Sequence, residues 1–416
     1  MKYFCGIVAC IFLMFATACN HHSEIVPEPE PAPTHTLLIY MAGDNSLTDY
    51  CKENIRLLKK GLNNATEDIN LVIYKDNRDY GDALPELFQL KKTTISEGNY
   101  KASKIDTVYI KKFTGEENSC DPAFFSDIVH TTFEYFDTEV KGLEIWSHGL
   151  SWIPSDNFSY SKKELTRGIQ YVGQDDRNFL ELWDIRKALE KCPHLDYICF
   201  DACHVGMAEV AHELDGVCDY IYGPITEIMG CGFPYNTMLP ILADCKDKAS
   251  VVNALEACVH DFAVSPLFIE NGYTITLLET AHAGGLAKAF AKLRNLNKDK
   301  LDYLRSNAST LETTFQRYGR SRAGARYFFY DFYDYVDYLS ENPTDEEKAI
   351  LDEIEKNNIV IYYANSPRFI EGREEINLKK CKGLGVTVPE ILSLTYQESY
   401  YELVYGLTKW GKELGY

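Results

Sequence analysis

Two polar residues stand where apolar runs end and the chain turns. His148 lies two residues beyond Leu143-Glu144-Ile145-Trp146, and Cys203 lies two residues beyond Tyr197-Ile198-Cys199-Phe200-Asp201. A thiolate is a strong nucleophile toward a carbonyl. An imidazole beside it can take its proton, hand a proton to a departing amine and then activate water. A Cys/His pair is therefore chemically sufficient for acyl transfer. Gly149, directly after the histidine, permits close approach of a substrate to the backbone, and its N–H together with that of Cys203 could hold an oxyanion. Taken singly, each residue reads equally well as structure, since buried cysteines are mostly core residues and a lone histidine is mostly a satisfied one.

The elements that would position this pair alternate. Thr36 to Ala42 is an apolar run that stops at Gly43-Asp44-Asn45, Leu47 to Leu62 has helical spacing, and Ile69 to Tyr74 is a second buried strand. Leu87 to Leu90 and Thr107 to Phe113 read as more exposed strands, Ala123 to Phe136 as a helix and Leu143 to Trp146 as a third buried strand. After a helix at Leu180 to Lys191 comes a fourth strand, Tyr197 to Phe200, then a helix at Val205 to Leu214 and a strand at Tyr220 to Tyr222. Strands alternating with helices predict a parallel sheet covered on both faces, whose strand ends open onto a ligand crevice. Downstream, helices at Ala249 to Phe262 and His282 to Leu293 flank a strand at Tyr273 to Leu278, and the last third reads as more helical. Neither a repeat nor a linker divides the body, and no Walker or dinucleotide glycine pattern follows the first strand.

The chain has 416 residues, 45% of them hydrophobic and 25% charged, which excludes a disordered tail or a minimal disulfide scaffold. Its formal charge of −20 would repel phosphate backbones, so nucleic acid is not an expected partner. Met1-Lys2 followed by a nearly apolar stretch to Ala18 reads as a secretory signal, too short for a permanent membrane span. Cys19, after Ala16-Thr17-Ala18, resembles the lipidated cysteine of a bacterial lipoprotein. The expected organisation is thus a signal at 1–18, a lipidated cysteine and Pro/Glu-rich spacer at 19–35, a catalytic core at 36–245 and a C-terminal α/β elaboration at 246–416 packed on it. Membrane contact would run only through the lipid, placing an exported protein on the bacterial outer membrane. Ten cysteines remain after Cys19, without paired close spacings, so neither a disulfide framework nor a zinc ribbon is expected and no residue is assigned as a metal ligand.

The ordered set Tyr40-Met41-Ala42-Gly43-Asp44-Asn45, Trp146-Ser147-His148-Gly149, Phe200-Asp201-Ala202-Cys203 and Gly232-Phe233-Pro234-Tyr235 resembles the clostripain family of cysteine peptidases. The resemblance implies a caspase-like three-layer α/β/α sandwich with a mostly parallel central sheet and a helical C-terminal elaboration. It also implies peptide or protein substrates cut after arginine or lysine, with His148 as general acid/base, Cys203 as nucleophile and Gly149 as a backbone donor. Asp201, two residues before the nucleophile, would share its side of an extended chain and line a pocket for a cationic side chain. Glu227 matches a position where the family tends to be acidic and is the second candidate for that pocket.

Departures from the family pattern fall around the pair and spare it. Thr226 stands where a second acid is often seen, and His204-Val205 follows the nucleophile where a small apolar pair is usual. A histidine at i+1 points away from its neighbour, so His204 reads as a surface cap rather than a pocket residue. The polar stretch from Leu150 to Asn178 carries Lys162, Lys163 and Arg167, and self-cleavage after Lys162 or Lys163 would suit a family often matured in this region. The chemistry needs no cofactor; calcium is an optional one, for which Asp175-Asp176 or Asp44-Asn45 could furnish oxygen ligands. Two other readings compete with the peptidase. One is a non-catalytic surface lipoprotein binding peptide or glycan, which the presence of both His148 and Cys203 disfavours. The other is an enzyme cutting after aspartate, which the acids Asp201 and Glu227 disfavour.

Overall fold

The computed structural model describes residues 33–77, 84–97, 100–115, 117–153, 172–311, 314–319, 329–372, 374–392 and 405–416. From Pro33 to Tyr416 the chain packs as one unit. It begins with β1 (His35–Gly43), α1 (Thr48–Asn64), β2 (Asn70–Asn77), β3 (Glu86–Glu97), β4 (Tyr100–Lys112), α2 (Pro122–Tyr135) and β5 (Val140–Trp146). The ribbon β6 (Gln174–Asp175) and β7 (Asn178–Phe179) leads to α3 (Leu182–Leu189), β8 (Leu195–Asp201), α4 (Ala208–Leu214) and β9 (Cys218–Gly223). Next come α5 (Tyr235–Leu242), α6 (Lys248–Val264), α7 (Pro266–Asn271), β10 (Thr274–Glu279), α8 (Ala283–Leu296) and α9 (Lys298–Leu311). The remainder holds β11 (Phe329–Asp331), α10 (Phe332–Leu339), α11 (Asp345–Lys356), β12 (Val360–Asn365), β13 (Arg368–Glu371), β14 (Glu374–Asn377), β15 (Gly385–Thr387) and α12 (Pro389–Leu392).

Nine strands form one sheet in the order β12-β10-β9-β8-β5-β1-β2-β3-β4. The central five are parallel, and antiparallel strands extend both edges. Alternation divides each central strand between two apolar layers. Along β1, Leu37, Ile39 and Met41 pack with Leu58 of α1, Leu239 of α5 and Leu255 of α6, whereas Leu38, Tyr40 and Ala42 pack with Phe125 of α2, Ile185 of α3 and Val210 of α4. The fold is therefore a mixed α/β sandwich with helices on both faces, and burial on both faces is why β1 and β8 read as unbroken apolar runs. The edge strand β4 leaves Val108 and Tyr109 exposed, as its more polar sequence predicts.

The region after 246 differs in one respect from a mainly helical reading. It supplies two strands of the main sheet, β10 and β12, as well as the ribbon β13/β14 and the pairing of β11 with β15. Of these, β10 matches the strand read at Tyr273 to Leu278; the others are short, so periodicity gives little sign of them. No helix among the described residues is long and apolar enough to cross a membrane, and all ten cysteines after Cys19 carry free thiols.

Candidate active site

Parallel pairing sets the site. Trp146 of β5 is the register partner of Asp201 of β8, so His148 and Cys203 each lie two residues beyond a paired position on neighbouring strands. Both leave the sheet at the same carboxyl edge, where adjacent strands are about 4.8 Å apart. Ser147 between them locks the edge: its N–H donates to Asp201 O (3.3 Å), its hydroxyl donates to Ala42 O (2.7 Å) and accepts from Gln174 N (2.9 Å). The β1 loop is drawn in as well, with Asn45 Nδ2 donating to Ala42 O (3.0 Å) and Gln174 O (2.8 Å).

That loop delivers a residue the sequence reading missed. Ser46 Oγ lies 2.8 Å from His148 Nε2. With Nε2 so engaged, Nδ1 is the nitrogen left to meet a substrate, and it has no hydrogen-bond partner among the described residues. The one clue in the sequence was position, since Ser46 follows the strand that pairs with β5. Burial holds the His148 pKa below its ordinary value of 6.5, with the Glu227 charge pulling upward.

Cys203 is partly exposed, and its Sγ accepts a hydrogen bond from Ile228 N at 3.4 Å. Burial first, and then the charge of Glu227, push the thiol well above its ordinary value, while the Ile228 N–H works the other way. In the resting protein at neutral pH the pair is thus a thiol and a neutral imidazole. The same Glu227 acts on both groups, so the loop after β9 runs near each of them. Gly149 is buried next to the histidine on this edge.

Asp201 is placed differently from the expectation. The argument from alternation assumed an extended chain, but the strand ends at Asp201 and the backbone turns through Cys203 and His204, the latter at φ +55°. Asp201 is buried on the α5 side, and its Oδ2 accepts from Tyr235 OH (2.5 Å) and Phe233 N (3.2 Å). In this conformation its carboxylate is closed to a cation arriving from solvent. Gly232, at φ +65°, makes the closure possible, because a Cβ there would come within 2.1 Å of Asp201 Oδ2.

Tyr235 OH also contacts Glu144 Oε1. One hydroxyl proton cannot serve two carboxylates, so one acid must carry a proton of its own. Burial, followed by the Asp201 charge, raises Glu144 to about 8, while burial raises Asp201 only to about 6 because Tyr235 and the Phe233 N–H favour its ionised form. Glu144 therefore keeps its proton at neutral pH and donates it to Tyr235, which donates to Asp201. The folded state binds a proton that an unfolded glutamate loses above about pH 4.3, so this group's contribution to stability falls as pH rises towards 8. Glu144→Gln, which copies the protonated acid, should gain on wild type by about 1–3 kcal/mol between pH 5 and pH 8 in urea unfolding. Parallel stability curves over that interval would refute the assignment.

Glu227 remains partly exposed at the crevice. Its backbone is anchored by β10, whose Thr274 Oγ1 accepts from Ile225 N (2.9 Å) and Thr226 N (2.9 Å) and also bonds the Thr226 hydroxyl (2.9 Å). Thr226 thus serves the loop's geometry where an acid would not fit the buried contact. His204 is not a surface cap. It is buried, with Nδ1 3.0 Å from Ile225 O and its ring 5.3 Å from that of Phe329, because the left-handed turn swings it inward. One ring nitrogen of His204 and one carboxylate oxygen each of Glu227 and Glu371 lie within 4.8 Å of one another. Glu371, on β13, comes from a hairpin about 140 residues downstream and carried no signal in the sequence.

Cys19, Lys162 and Lys163 lie outside the described residues. The two Asp-containing segments considered for calcium meet each other: Asp176 N donates to Asp44 O (2.7 Å), and Asp175 Oδ2 accepts from Ser119 N (2.6 Å). The first contact ties the β1 loop to the turn between β6 and β7, and the second ties β6 to the segment before α2.

With this geometry in hand, comparison with known proteins gives a consistent result. The model of the clostripain family, a family of C11 peptidases, matches residues 39–409. No curated protein matches the chain. Among solved structures, an inactive zymogen C11 protease from Parabacteroides distasonis is 28% identical, with 93% of this chain and 99% of that chain covered and a TM-score of 0.71. A secreted C11 cysteine protease from Bacteroides thetaiotaomicron, in complex with an irreversible peptide inhibitor, is 21% identical, covering 92% and 99% of the two chains with a TM-score of 0.68. The same organism's secreted C11 cysteine protease iotapain is 20% identical, covering 92% and 100% with a TM-score of 0.69.

Proposed function

The chain belongs to the clostripain family and is a cysteine protease, and from that premise we propose that Cys203 and His148 form its catalytic dyad and that it cleaves peptide bonds after arginine or lysine. The observation that carries this reading is the strand register, which brings one thiol and one imidazole to the same sheet edge under the influence of one carboxylate. His148 takes the Cys203 proton as Sγ attacks the carbonyl carbon, and the N–H groups of Gly149 and Cys203 hold the oxyanion. The C–N bond then breaks, the amine leaves with the proton from His148, and a thioester remains. Water, deprotonated by His148, hydrolyses it and restores the thiol.

Starting from a neutral pair suits this order of events. The proton moves only when substrate fills the crevice, so the resting sulfur is protected from oxidation. Glu227 is the wall of the pocket that would receive the substrate cation, and Asp201 would be reachable only if the loop at 229–233 shifted. The excess of acidic residues agrees with a basic partner. Residues 1–35 would direct export and anchor the protein through lipidated Cys19, in keeping with the secreted Bacteroides relatives, and cleavage after Lys162 or Lys163 would open the site, in keeping with a relative that is a zymogen.

Fluorogenic peptides ending in Arg, Lys, Ala or Asp test the specificity. The basic peptides should be preferred, and Glu227→Gln should reduce their kcat/KM by about 10–100-fold while changing that of the alanine peptide little. A preference for aspartate, or an equal loss on all four peptides, would overturn the pocket assignment. Absence of turnover with peptide still bound would instead favour the binding-only reading.

A further inference from the structure

The polar groups of the β1 loop mostly hold the loop's own shape, and one is turned on His148. Asn45 N donates to Gly43 O (2.8 Å), Thr48 Oγ1 donates to the same carbonyl (2.6 Å) and Leu47 N donates to Asn45 Oδ1 (2.8 Å). Asn45 Nδ2 pins the turn to Ala42 O and Gln174 O, and Asp176 N donates to Asp44 O (2.7 Å). Ser147, the residue before the histidine, bonds the same Ala42 carbonyl through its hydroxyl. Ser46 and His148 are thus both fixed to the end of β1 by short connections. The Ser46 hydroxyl takes no part in holding the loop, since its one hydrogen-bond partner among the described residues is His148 Nε2, 2.8 Å away.

A serine hydroxyl can donate or accept, and the two choices leave different imidazoles. If it donated to Nε2, the neutral ring would carry its proton on Nδ1 and have no lone pair left for a thiol. If it accepts, Nε2 keeps the proton and Nδ1 presents its lone pair. Only the second ring can act as the base that the proposed mechanism requires. Its bond to Ser46 also strengthens as the reaction proceeds, because an imidazolium donates a stronger hydrogen bond than a neutral ring.

We propose that Ser46 is the positioning residue of the dyad: its hydroxyl accepts a hydrogen bond from His148 Nε2–H and so fixes the tautomer and ring orientation that leave Nδ1 as the base. The inference rests on the dyad assigned above. As the C–S bond forms, the Cys203 proton passes from Sγ to Nδ1, and Ser46 holds the resulting imidazolium through Nε2–H. Nδ1 then gives that proton to the departing amine as the C–N bond breaks. Ser46 neither gains nor loses a proton in either step. The titratable groups at this edge are Glu227, whose charge acts on His148, the Cys203 thiol, and Asp44, Asp175 and Asp176 of the β1 loop and the β6/β7 ribbon. A Ser46 variant replaces none of them, so a pKa shift that it causes belongs to the hydrogen bond.

The test reads the ring apart from the reaction. In Cys203→Ala protein labelled with ¹⁵N-histidine, long-range ¹H–¹⁵N correlation reports each tautomer, and adding His148→Ala assigns the signal. His148 should be neutral at neutral pH with its proton on Nε2. Adding Ser46→Ala should mix the tautomers and lower the His148 pKa by about half a unit, because a bond that favours the charged ring is lost. In the protein with its thiol intact, Ser46→Ala should lower kcat on a basic peptide about 3–10-fold with KM little changed, and move the acid limb of the pH profile down by about the same half unit. Ser46→Thr, which keeps the hydroxyl at an exposed position, should recover most of the lost kcat. A proton on Nδ1 in the Cys203→Ala protein, or a tautomer and pKa indifferent to Ser46→Ala, would overturn the assignment. An acid limb that stayed in place or moved up in Ser46→Ala would overturn it too, the first marking a loop merely loosened and the second a hydroxyl that donates. The spectrum does not need turnover. Activity persisting in Cys203→Ala would therefore remove the dyad while the bond between Ser46 and His148 was still read directly.

Discussion

Cys203→Ala should lower kcat/KM on a basic peptide by about 10⁴-fold or more without changing the unfolding curve. The thiol supplies the only covalent step, and nothing in the remaining oxyanion donors or pocket can replace a nucleophile. The loss should appear in kcat, since Glu227, the proposed pocket wall, is untouched. His148→Ala should cost a similar amount, and the double variant should cost little more than either, because the two groups act as a unit. The resting electrostatics add a pH signature. With His148 held below its ordinary value by burial, the base stays unprotonated in mildly acidic solution, so the acid limb of the kcat/KM profile should lie below pH 6.5. Maturation gives an independent readout. Wild-type protein should become two-chain on incubation while Cys203→Ala remains intact, with the new end after Lys162 or Lys163. Persistent turnover by purified Cys203→Ala would refute the mechanism outright.

The second large effect concerns stability. Arg294, at the end of α8, is buried against Glu390 at the start of α12, with Nη2 2.8 Å from Oε1 and Nη1 3.2 Å from Oε2. Tyr335 OH and Tyr416 OH complete the cluster, at 2.5 Å and 2.9 Å from the guanidinium. Burial works to raise the Glu390 pKa, but the charge and hydrogen bonds of Arg294 outweigh it and hold the carboxyl below its ordinary value. Glu390→Ala should therefore destabilise the protein by about 3–5 kcal/mol at neutral pH, because it strands a buried cation. A lowered carboxyl pKa gives a contribution present above the unfolded value and lost as pH falls through the folded one, so the penalty should shrink in acid. Replacing both partners with apolar residues, Arg294→Met with Glu390→Leu, should recover most of the loss. If Glu390→Ala alone unfolded within 1 kcal/mol of wild type (about a fivefold change in the equilibrium), the cluster would carry no such role.

Much of the architecture was legible because its signals are local. Apolar runs such as Leu37 to Ala42 and Tyr197 to Phe200 become central strands because a sheet covered on both faces buries every residue of them. A histidine and a cysteine just past such runs must emerge at a strand end, so His148 and Cys203 could be singled out before any coordinates, along with the Gly149 between strand and loop. The short edge strand β12 was harder, since its antiparallel pairing with β10 depends on a partner far away in the chain rather than on its own pattern.

Residue types and hydrophobic spacing by themselves determined the layered α/β plan and the placing of the two proposed reactive side chains just past its strand ends. Tertiary structure alone decided how the crevice is lined: the commitment of Asp201 to Tyr235, the inward turn of His204, the contact of Ser46 with His148 and the arrival of Glu371. The physical reason is that periodicity specifies direction only while the backbone stays regular. Beyond a strand end, loop dihedrals and the burial of distant chain segments choose which way each side chain points, and those choices set its charge and its chemistry.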